Sequence, residues 1–260
     1  MYKVLFLDID GTILKPDYSY DSSTKEAIAK AKANGVEVFL ATGKPFYEIK
    51  SLATELNITS FISFNGAYAT MNGKELFKRP FKKELVEHYL RLANENGHEI
   101  GLYTDHRSEY TDLYASSVQK FTKALHMTEN AQLNPNDIPP ALGVTLMGVN
   151  TEEELEPYLI DPSVRLSQVN VYGTEDCYDL IRQDVNKGIG VEHVLKELGL
   201  NKDQAIAFGD GMNDKEMLQA VGHSFAMANA NPELFQYAKY KTTSVEDSGI
   251  AKGLEKLGVI

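Results

Sequence analysis

Lys3-Val4-Leu5-Phe6-Leu7-Asp8-Ile9-Asp10-Gly11-Thr12, near the start of the chain, joins a short apolar run to two carboxylates. A run of branched and aromatic residues bounded by glycine predicts a central parallel strand that is buried on both faces. Ligands bind at the carboxyl ends of such strands, so we expect Asp8 and Asp10 at a functional site. Read alone, this stretch leaves open an ordinary strand followed by a polar turn.

The spacing of Asp8 and Asp10 indicates that they share a cation or a proton. Side chains two residues apart in an extended chain point to the same side, so these carboxylates lie close together. Anions this close need a cation or a shared proton between them. Because hard oxygen ligands suit Mg²⁺, we expect a magnesium ion at this end of the strand.

Three further segments carry polar residues at the end of a predicted strand or at the start of a predicted helix. The apolar run at residues 36–41 is followed by Thr42-Gly43. Lys187-Gly188 opens a helical pattern, and the apolar run at residues 205–208 is followed by Gly209-Asp210-Gly211-Met212-Asn213-Asp214.

Taken in order, these segments resemble the motifs of the haloacid dehalogenase superfamily of aspartate-dependent phosphotransferases. Asp8-x-Asp10-Gly11-Thr12 is similar to the first motif, Thr42 to the second, Lys187 to the third and Gly209-Asp210-x-x-x-Asp214 to the fourth. The resemblance implies that Asp8 is a nucleophile that forms an aspartyl-phosphate and that Asp10 is the general acid and base. It also implies that Mg²⁺ is held by Asp8, Asp10, Asp210 and Asp214.

The remaining candidate residues are expected to contact the phosphoryl group. On the family pattern, Thr42 donates its hydroxyl to a phosphoryl oxygen, helped by the amide of Gly43 at a helix start. Lys187 is expected to hold the phosphoryl group, since a lysine at a helix N-terminus is unfavourable for purely structural purposes. A helix cap at Thr42 and an exposed surface lysine at Lys187 are the structural alternatives. Further candidates for substrate contact are Thr12, Asn65 and Asn213.

Several nearby polar residues have an equally simple structural explanation. Asn65-Gly66 follows a short strand predicted at residues 60–64 and is equally typical of a turn. Lys44 stands where the family often has arginine, and an ammonium cannot bind an anion through two parallel hydrogen bonds, so we assign it no substrate role. For Asn229 and Asn231 we favour helix capping over support of the acidic turn. A polar cluster in mid-chain is interpreted as a solvated loop rather than a sugar-facing surface: Tyr103, Asp105, His106 and Arg107.

The order of predicted elements indicates an α/β fold with a doubly wound, mostly parallel sheet that is interrupted by an insert. Strands and helices alternate before residue 67 and again from residue 187. Between them, Asn72-Gly73 predicts a hairpin turn, residues 83–96 a helix, and residues 99–104, 143–149, 164–171 and 178–182 strands. We therefore predict a core domain at residues 1–81 and 185–260. Residues 82–184 would form an α/β cap, as the resemblance implies for the Cof-type branch of the superfamily.

Composition limits the partners of the protein. The chain has 260 residues, 43% hydrophobic residues and a formal charge of −11, which argues against nucleic-acid binding because that needs a basic surface. A single cysteine, Cys177, is expected to be buried and is consistent with a reducing compartment. The apolar run before Asp8 is too short for a signal peptide, and no stretch is long enough to span a membrane. We predict a cytoplasmic protein.

The function predicted from these observations is hydrolysis of small organic phosphate monoesters, with sugar phosphates as the substrates that the Cof-type resemblance implies. A phosphoryl transferase or mutase could use the same aspartate. A non-catalytic regulatory protein that binds metal and phosphate is a further alternative, although such receiver domains lack the insert. A dinucleotide dehydrogenase is disfavoured because no G-x-G-x-x-G follows the first strand. The sequence does not indicate an oligomeric state.

Overall fold

A computed structural model describes residues 1–169 and 171–260, and it divides the chain into two compact units. The first unit comprises Met1–Lys44, Ile49–Lys78 and Asn186–Ile260. The second unit comprises Pro45–Glu48 and Arg79–Val185. Asn170, within the strand predicted at residues 164–171, lies outside the described residues.

The first unit is built on a sheet with the strand order β14-β13-β12-β1-β2-β3-β4-β5. Strands from β14 to β3 run parallel, whereas β3, β4 and β5 pair antiparallel. The mostly parallel α/β fold predicted from the sequence is confirmed. The strands are β1 (Val4–Leu7), β2 (Glu37–Ala41), β3 (Ser60–Ser63), β4 (Tyr68–Met71), β5 (Lys74–Lys78), β12 (Ala205–Gly209), β13 (His223–Ala226) and β14 (Tyr240–Lys241).

Strand β1 lies in the middle of this sheet and fixes where its neighbours end. Val4 is paired with Glu37 of β2 on one side and with Ala205 of β12 on the other. All four residues of β1 are buried, as its apolar run predicted. Because the three strands are parallel and in register, the residues that follow them emerge at the same edge of the sheet.

Helices cover the sheet of the first unit: α1 (Ser22–Ala33), α2 (Phe46–Glu55), α5 (Lys187–Glu197), α6 (Lys215–Ala220) and α7 (Gly249–Lys256). The first residues of α2, up to Glu48, belong to the second unit. On one face, Phe6 and Phe39 of the sheet pack in one apolar cluster with Val191 of α5 and Met217 of α6. This packing places the N-terminus of α5 at the edge of the sheet where β1, β2 and β12 end.

Two helices of this unit differ from their sequence patterns. Ser23-x-x-Glu26 has the spacing of a capping box, but α1 begins at Ser22 and no side chain caps it. Residues 232–238 have a helical pattern, and the helix that forms there is a 3₁₀ helix, Pro232–Gln236. The hairpin prediction is confirmed, since Asn72 and Gly73 connect β4 and β5 with left-handed backbone angles.

The second unit contains a sheet with the order β10-β11-β9-β6-β7-β8, in which β7 and β8 are parallel and the other pairs antiparallel. Its apolar face packs against α3, where Val86 and Tyr89 meet Ile100 and Leu146. Strands β7 and β8 were not predicted because each is only three residues long. The elements are α3 (Lys83–Asn96), β6 (Glu99–Tyr103), β7 (Ser108–Tyr110), α4 (Ser116–Ala124), β8 (Asn130–Gln132), β9 (Gly143–Met147), β10 (Val164–Gln168) and β11 (Cys177–Arg182).

Two expectations from the composition concern the single cysteine and membrane-spanning segments. Cys177 is buried, as predicted, and burial raises the pKa of its thiol far above the ordinary value. None of the helices in the described residues combines the length and the apolar character that crossing a membrane requires.

Candidate active site

The first unit brings together a buried ammonium and two buried carboxylates at the edge of the sheet. Asp8 directly follows β1, Asp214 precedes α6, and Lys187 is the first residue of α5. The Nζ atom of Lys187 lies 2.5 Å from Oδ1 of Asp8 and 2.6 Å from Oδ1 of Asp214. Lys187 is only 1% exposed, so the alternative of a surface lysine is wrong.

The carboxylate of Asp214 stabilises the turn after β12, to which this residue belongs. Oδ2 of Asp214 accepts hydrogen bonds from the backbone N–H groups of Asp210 and Gly211, both at 3.0 Å. The hydroxyl of Thr12 donates to Oδ1 of Asp210 at 3.0 Å, which ties the turn after β1 to the turn after β12. Thr12 therefore orients an acidic side chain, whereas the sequence suggested that it contacts the substrate.

Gly11 is required where these two turns approach each other. Its φ of 82° lies in the left-handed region, which side-chain-bearing residues rarely adopt. A Cβ atom built on Gly11 would lie 2.1 Å from Oδ2 of Asp210. The glycine of the first motif thus allows the carboxylate of Asp210 to lie against the backbone.

Asp8, Asp210 and Asp214 form the only group of potential metal ligands found among the described residues, and we call it the carboxylate cluster. One oxygen from each lies within 4.8 Å of the others. Lys187 supplies a single positive charge to the cluster. When all its carboxylates are ionised, the cluster with Lys187 therefore carries two excess negative charges, which a divalent cation would neutralise.

The electrostatics of the cluster follow from this crowding. Burial, and then the charge of Asp214, raise the pKa of Asp8 to about 8, although Lys187 acts in the opposite direction. Burial and Asp214 likewise raise the pKa of Asp210 to about 6. Burial lowers the pKa of Lys187, but the charges of Asp8 and Asp214 outweigh burial and raise it. Without a cation, the cluster therefore binds protons well into the neutral range.

Asp10 lies outside the carboxylate cluster, although the sequence predicted it as a metal ligand. Its Oδ1 is 2.8 Å from Nζ of Lys44, and the two side chains are 50% and 38% exposed, respectively. The tight turn after Asp8 explains the difference, since the chain leaves the extended form in which both side chains would point the same way. Asp10 and Lys44 both line a cavity of about 200 Å³.

The cavity lies entirely within the first unit. Three of the six predicted substrate contacts, Thr42, Gly43 and Asn213, line it together with Asp8, Asp10, Lys44 and Gly211. The hydroxyl of Thr42 accepts a hydrogen bond from the backbone N–H of Lys44 at 3.1 Å. Lys44 is the residue that sequence reasoning set aside. Its position directly after Thr42-Gly43 was the signal that could have identified it.

Asn65 has a left-handed backbone and is not among the residues that line the cavity. Its Oδ1 accepts a hydrogen bond from Nδ2 of Asn213 at 3.3 Å, and its backbone N–H donates to Thr42 at 3.0 Å. Asn65 thus connects the turns after β2 and β12.

The asparagines after β13 differ in their roles. Asn229 donates from Nδ2 to the backbone oxygen of Gly11 at 2.8 Å and accepts from the N–H of Val245 at 2.9 Å. It supports the turn after β1, a role that differs both from helix capping and from support of the acidic turn after β12. Asn231 accepts from the N–H of Glu233 and caps the following 3₁₀ segment, as predicted.

The polar cluster predicted in mid-chain belongs to the second unit. His106 and Arg107 are exposed, with His106 3.1 Å from Asp105 and Arg107 paired with Glu109. Tyr103 differs from these residues, since it is buried and donates from its hydroxyl to Thr145 at 2.8 Å. The interpretation as a solvated loop therefore does not extend to Tyr103.

Known proteins are similar to this chain in sequence and in fold. Residues 5–254 match the family of haloacid dehalogenase-like hydrolases. The 5-amino-6-(5-phospho-D-ribitylamino)uracil phosphatase YbjI of Escherichia coli (strain K12) is 28% identical over 265 residues, which are 98% of this chain and 96% of YbjI.

Solved structures extend the likeness over the whole chain. A hypothetical protein from Geobacillus kaustophilus HTA426 is 30% identical, with a TM-score of 0.91 and complete coverage of both chains. The subclass IIB sugar phosphatase BT4131 is 26% identical, with a TM-score of 0.77 over 99% of this chain and 100% of that one. The chain therefore belongs to the haloacid dehalogenase-like hydrolases, in their branch of Cof-type phosphatases.

Proposed function

We propose that the protein is a Mg²⁺-dependent phosphatase that hydrolyses small organic phosphate monoesters through an aspartyl-phosphate on Asp8. The observation that carries this proposal is the position of Asp8, which lines the cavity while its carboxylate is held by buried Lys187. A carboxylate fixed in this way is oriented for attack and cannot turn away from a bound phosphoryl group.

The carboxylate cluster is a suitable site for Mg²⁺, because its donors are hard oxygens and it has an excess of negative charge. Asp8, Asp210 and Asp214 would hold the ion, which when bound would supply positive charge against the repulsion between Asp8 and the phosphoryl oxygens. Since the side chain of Asp10 pairs with Lys44 instead, we do not retain Asp10 as a side-chain ligand.

In the first step, an oxygen of Asp8 attacks phosphorus and the bond between phosphorus and the ester oxygen breaks. Asp10, which lines the same cavity, donates its proton to the departing alkoxide. In this proposal Thr42 and the N–H of Gly43, which line the cavity, and Lys187, which is paired with Asp8, stabilise the charge on the phosphoryl oxygens. The products are the free alcohol and a phosphorylated Asp8.

In the second step, water attacks the phosphorus of the aspartyl-phosphate and the bond to Asp8 breaks. Asp10 now takes a proton from the water, which is the reverse of its role in the first step. Lys44, whose Nζ lies 2.8 Å from Oδ1 of Asp10, lines the same cavity. Inorganic phosphate leaves and both carboxylates return to their starting state.

We further propose that the second unit is the cap and that the substrates are phosphates of sugars or similar polyols. Support comes from the relatives: YbjI is named for a phosphoribityl compound, and BT4131 is a sugar phosphatase. The predicted domain limits, residues 1–81 with 185–260 and residues 82–184, are kept as part of this proposal. A small phosphate ester in the cytoplasm, rather than nucleic acid, is consistent with the formal charge of −11.

Removal of the metal is the direct test of this function. We expect phosphate release from a panel of sugar phosphates to stop when a chelator is in excess and to return with added Mg²⁺. Asp210→Asn should require a higher Mg²⁺ concentration for half-maximal activity, because it removes one anionic ligand from the cluster. Full turnover in excess chelator would contradict the metal assignment, and phosphate appearing only with an added acceptor would favour a phosphoryl transferase.

The raised pKa values of Asp8 and Asp210 predict that metal binding releases protons. A carboxyl group must lose its proton before it binds a cation, so the affinity for Mg²⁺ should fall as the pH is lowered from about 8 to about 6. At pH 7 we expect roughly one proton per ion bound, mainly from Asp8. Calorimetric titrations in buffers with different ionisation enthalpies measure this number, and zero protons released at pH 7 would be the contrary result.

A further inference from the structure

Three consecutive residues after β3 have a left-handed backbone conformation, which residues with side chains rarely adopt. The φ angles are 53° at Phe64, 51° at Asn65 and 99° at Gly66, and we call these residues the left-handed segment. Glycine and asparagine tolerate such angles, whereas a phenylalanine with them is unusual. Strained backbone of this kind persists only where the surrounding structure requires it, and it clusters at functional sites. The contacts of the segment therefore indicate its role.

The left-handed segment is fixed between two parts of the candidate active site. The backbone N–H of Asn65 donates to the carbonyl oxygen of Thr42 at 3.0 Å. Gly66 packs against the backbone that precedes Lys187, since a Cβ atom built on Gly66 would lie 2.1 Å from the carbonyl oxygen of Asn186. Asn186 in turn caps the N-terminus of α5. All these residues belong to the first unit, so the segment holds the turn after β2 and the start of α5 in a fixed arrangement.

The segment places the side chain of Asn65 behind the wall of the cavity. Gly43 and Asn213 line the cavity, whereas Asn65 does not. A Cβ atom on Gly43 would lie 3.0 Å from Nδ2 of Asn65, so the Asn65 amide lies directly against this part of the wall. Oδ1 of the same amide accepts a hydrogen bond from Nδ2 of Asn213 at 3.3 Å. One side chain outside the cavity thus contacts two of the residues that line it.

The hydrogen bond between the two asparagines fixes which end of the Asn213 amide is available to an anion. Asn213 is exposed, so packing alone does not fix its side chain. Its amide has two N–H donors on one side and an accepting oxygen on the other, and a rotation by 180° exchanges them. With one N–H given to Asn65, the nitrogen can give the other to a phosphoryl oxygen. The acceptor on Asn65 therefore favours the orientation that suits an anionic ligand.

We infer that Asn65 is a positioning residue for phosphate binding: it holds the amide of Asn213 so that Asn213 meets the phosphoryl group with an N–H donor. The left-handed segment supplies the backbone conformation that puts Asn65 behind the cavity wall. This inference rests on the proposed function and adds to it a residue that acts on the phosphoryl group through another side chain. It also gives the strained backbone a functional reason, since a regular continuation of β3 would direct the side chain of residue 65 elsewhere.

Asn65→Gly tests the side chain without disturbing the backbone, because glycine adopts left-handed angles readily and keeps the N–H that bonds to Thr42. Loss of the hydrogen bond to phosphate in Asn213→Ala should lower kcat/KM for a sugar phosphate about 10- to 100-fold. Asn65→Gly leaves Asn213 in place but unoriented, so we expect a smaller loss of about 3- to 30-fold. Asn57→Gly makes the same change at an exposed, left-handed asparagine of the same unit and should keep full activity.

The double variant distinguishes positioning from a purely structural role. If Asn65 acts through Asn213, the addition of Asn65→Gly to Asn213→Ala should cause no further loss, so the double variant and Asn213→Ala should have equal kcat/KM. Asn65→Gly should also unfold close to the melting temperature of the parent. The inference would be overturned by full activity of Asn65→Gly, by losses that multiply in the double variant, or by unfolding of Asn65→Gly at the assay temperature.

The proposed function and this inference can fail separately. If the parent hydrolyses no ester, the proposed function fails, and calorimetric titration with inorganic phosphate in the presence of Mg²⁺ then decides the inference. Asn65→Gly and Asn213→Ala should bind phosphate more weakly than the parent, and the double variant should bind it as weakly as Asn213→Ala. Equal results for the parent and Asn65→Gly, including no binding by either, would reject the inference.

Discussion

Asp8→Asn is expected to abolish phosphate release, with a loss of at least about 10⁴-fold in kcat on every ester. The substitution keeps the size and polarity of the side chain but removes the anionic oxygen that forms the bond to phosphorus. No phosphorylated enzyme should be detected by mass spectrometry after mixing with substrate. Steady-state phosphate release and intact-protein mass measure the two results.

Asp8→Asn should leave the fold intact, so the loss of phosphate release can be assigned to the missing carboxylate. Lys187 retains its ion pair with Asp214, and removing one carboxylate relieves repulsion in the cluster when no metal is present. We therefore expect the metal-free variant to unfold at the same temperature as the parent or higher. Asp247→Asn, which removes an exposed carboxylate of the same unit, is the control and should retain full activity. Substantial turnover by folded Asp8→Asn would assign the nucleophile to another residue.

Asp10→Asn should separate the two chemical steps by the nature of the leaving group. An alkoxide leaves poorly without a proton, so loss of the general acid should cost about 10² to 10⁴ on a sugar phosphate. Nitrophenolate leaves unaided, so the first step on nitrophenyl phosphate should be affected much less. Because hydrolysis of the aspartyl-phosphate still lacks its base, mixing should give a burst of about one nitrophenolate per enzyme and then slow turnover.

Rapid-mixing absorbance measures the burst, and peptide mass spectrometry locates the phosphate. Lys44→Gln is the matched comparison, since it removes the partner of Asp10 but leaves both carboxylates in place. That variant should keep multiple turnovers and show no burst. Phosphate found on Asp10, or a burst that survives in Asp8→Asn, would show that the two roles are assigned the wrong way round.

The sequence by itself determined the fold class and named most of the candidate site residues, because both depend on short segments. The apolar run before Asp8 predicted a buried parallel strand, and β1 is fully buried between β2 and β12. Parallel strands that end together bring their next residues to one edge, so the order of the motifs was enough to group Asp8, Thr42 and Asp210. Such inferences need only local patterns and one rule of topology.

Tertiary structure alone decided which of these residues touch. Asp8 and Asp10 were both predicted as metal ligands, yet Asp8 is buried against Lys187 while Asp10 is half exposed and pairs with Lys44. The difference arises because the chain bends at Ile9, between the two residues, and leaves the extended form in which both side chains would point the same way. Contacts between residues more than 100 positions apart, such as that of Asn229 with Gly11, produce no local sequence pattern from which they could be predicted.

The same limit applies to the second unit. Tyr103, Thr145 and Asp179 come from strands far apart in sequence and join in one hydrogen-bonded row through strand register. A shift of one residue in any of these strands would turn its side chain to the other face. Register depends on how the whole sheet packs against α3, and for that reason only the folded chain could reveal the row.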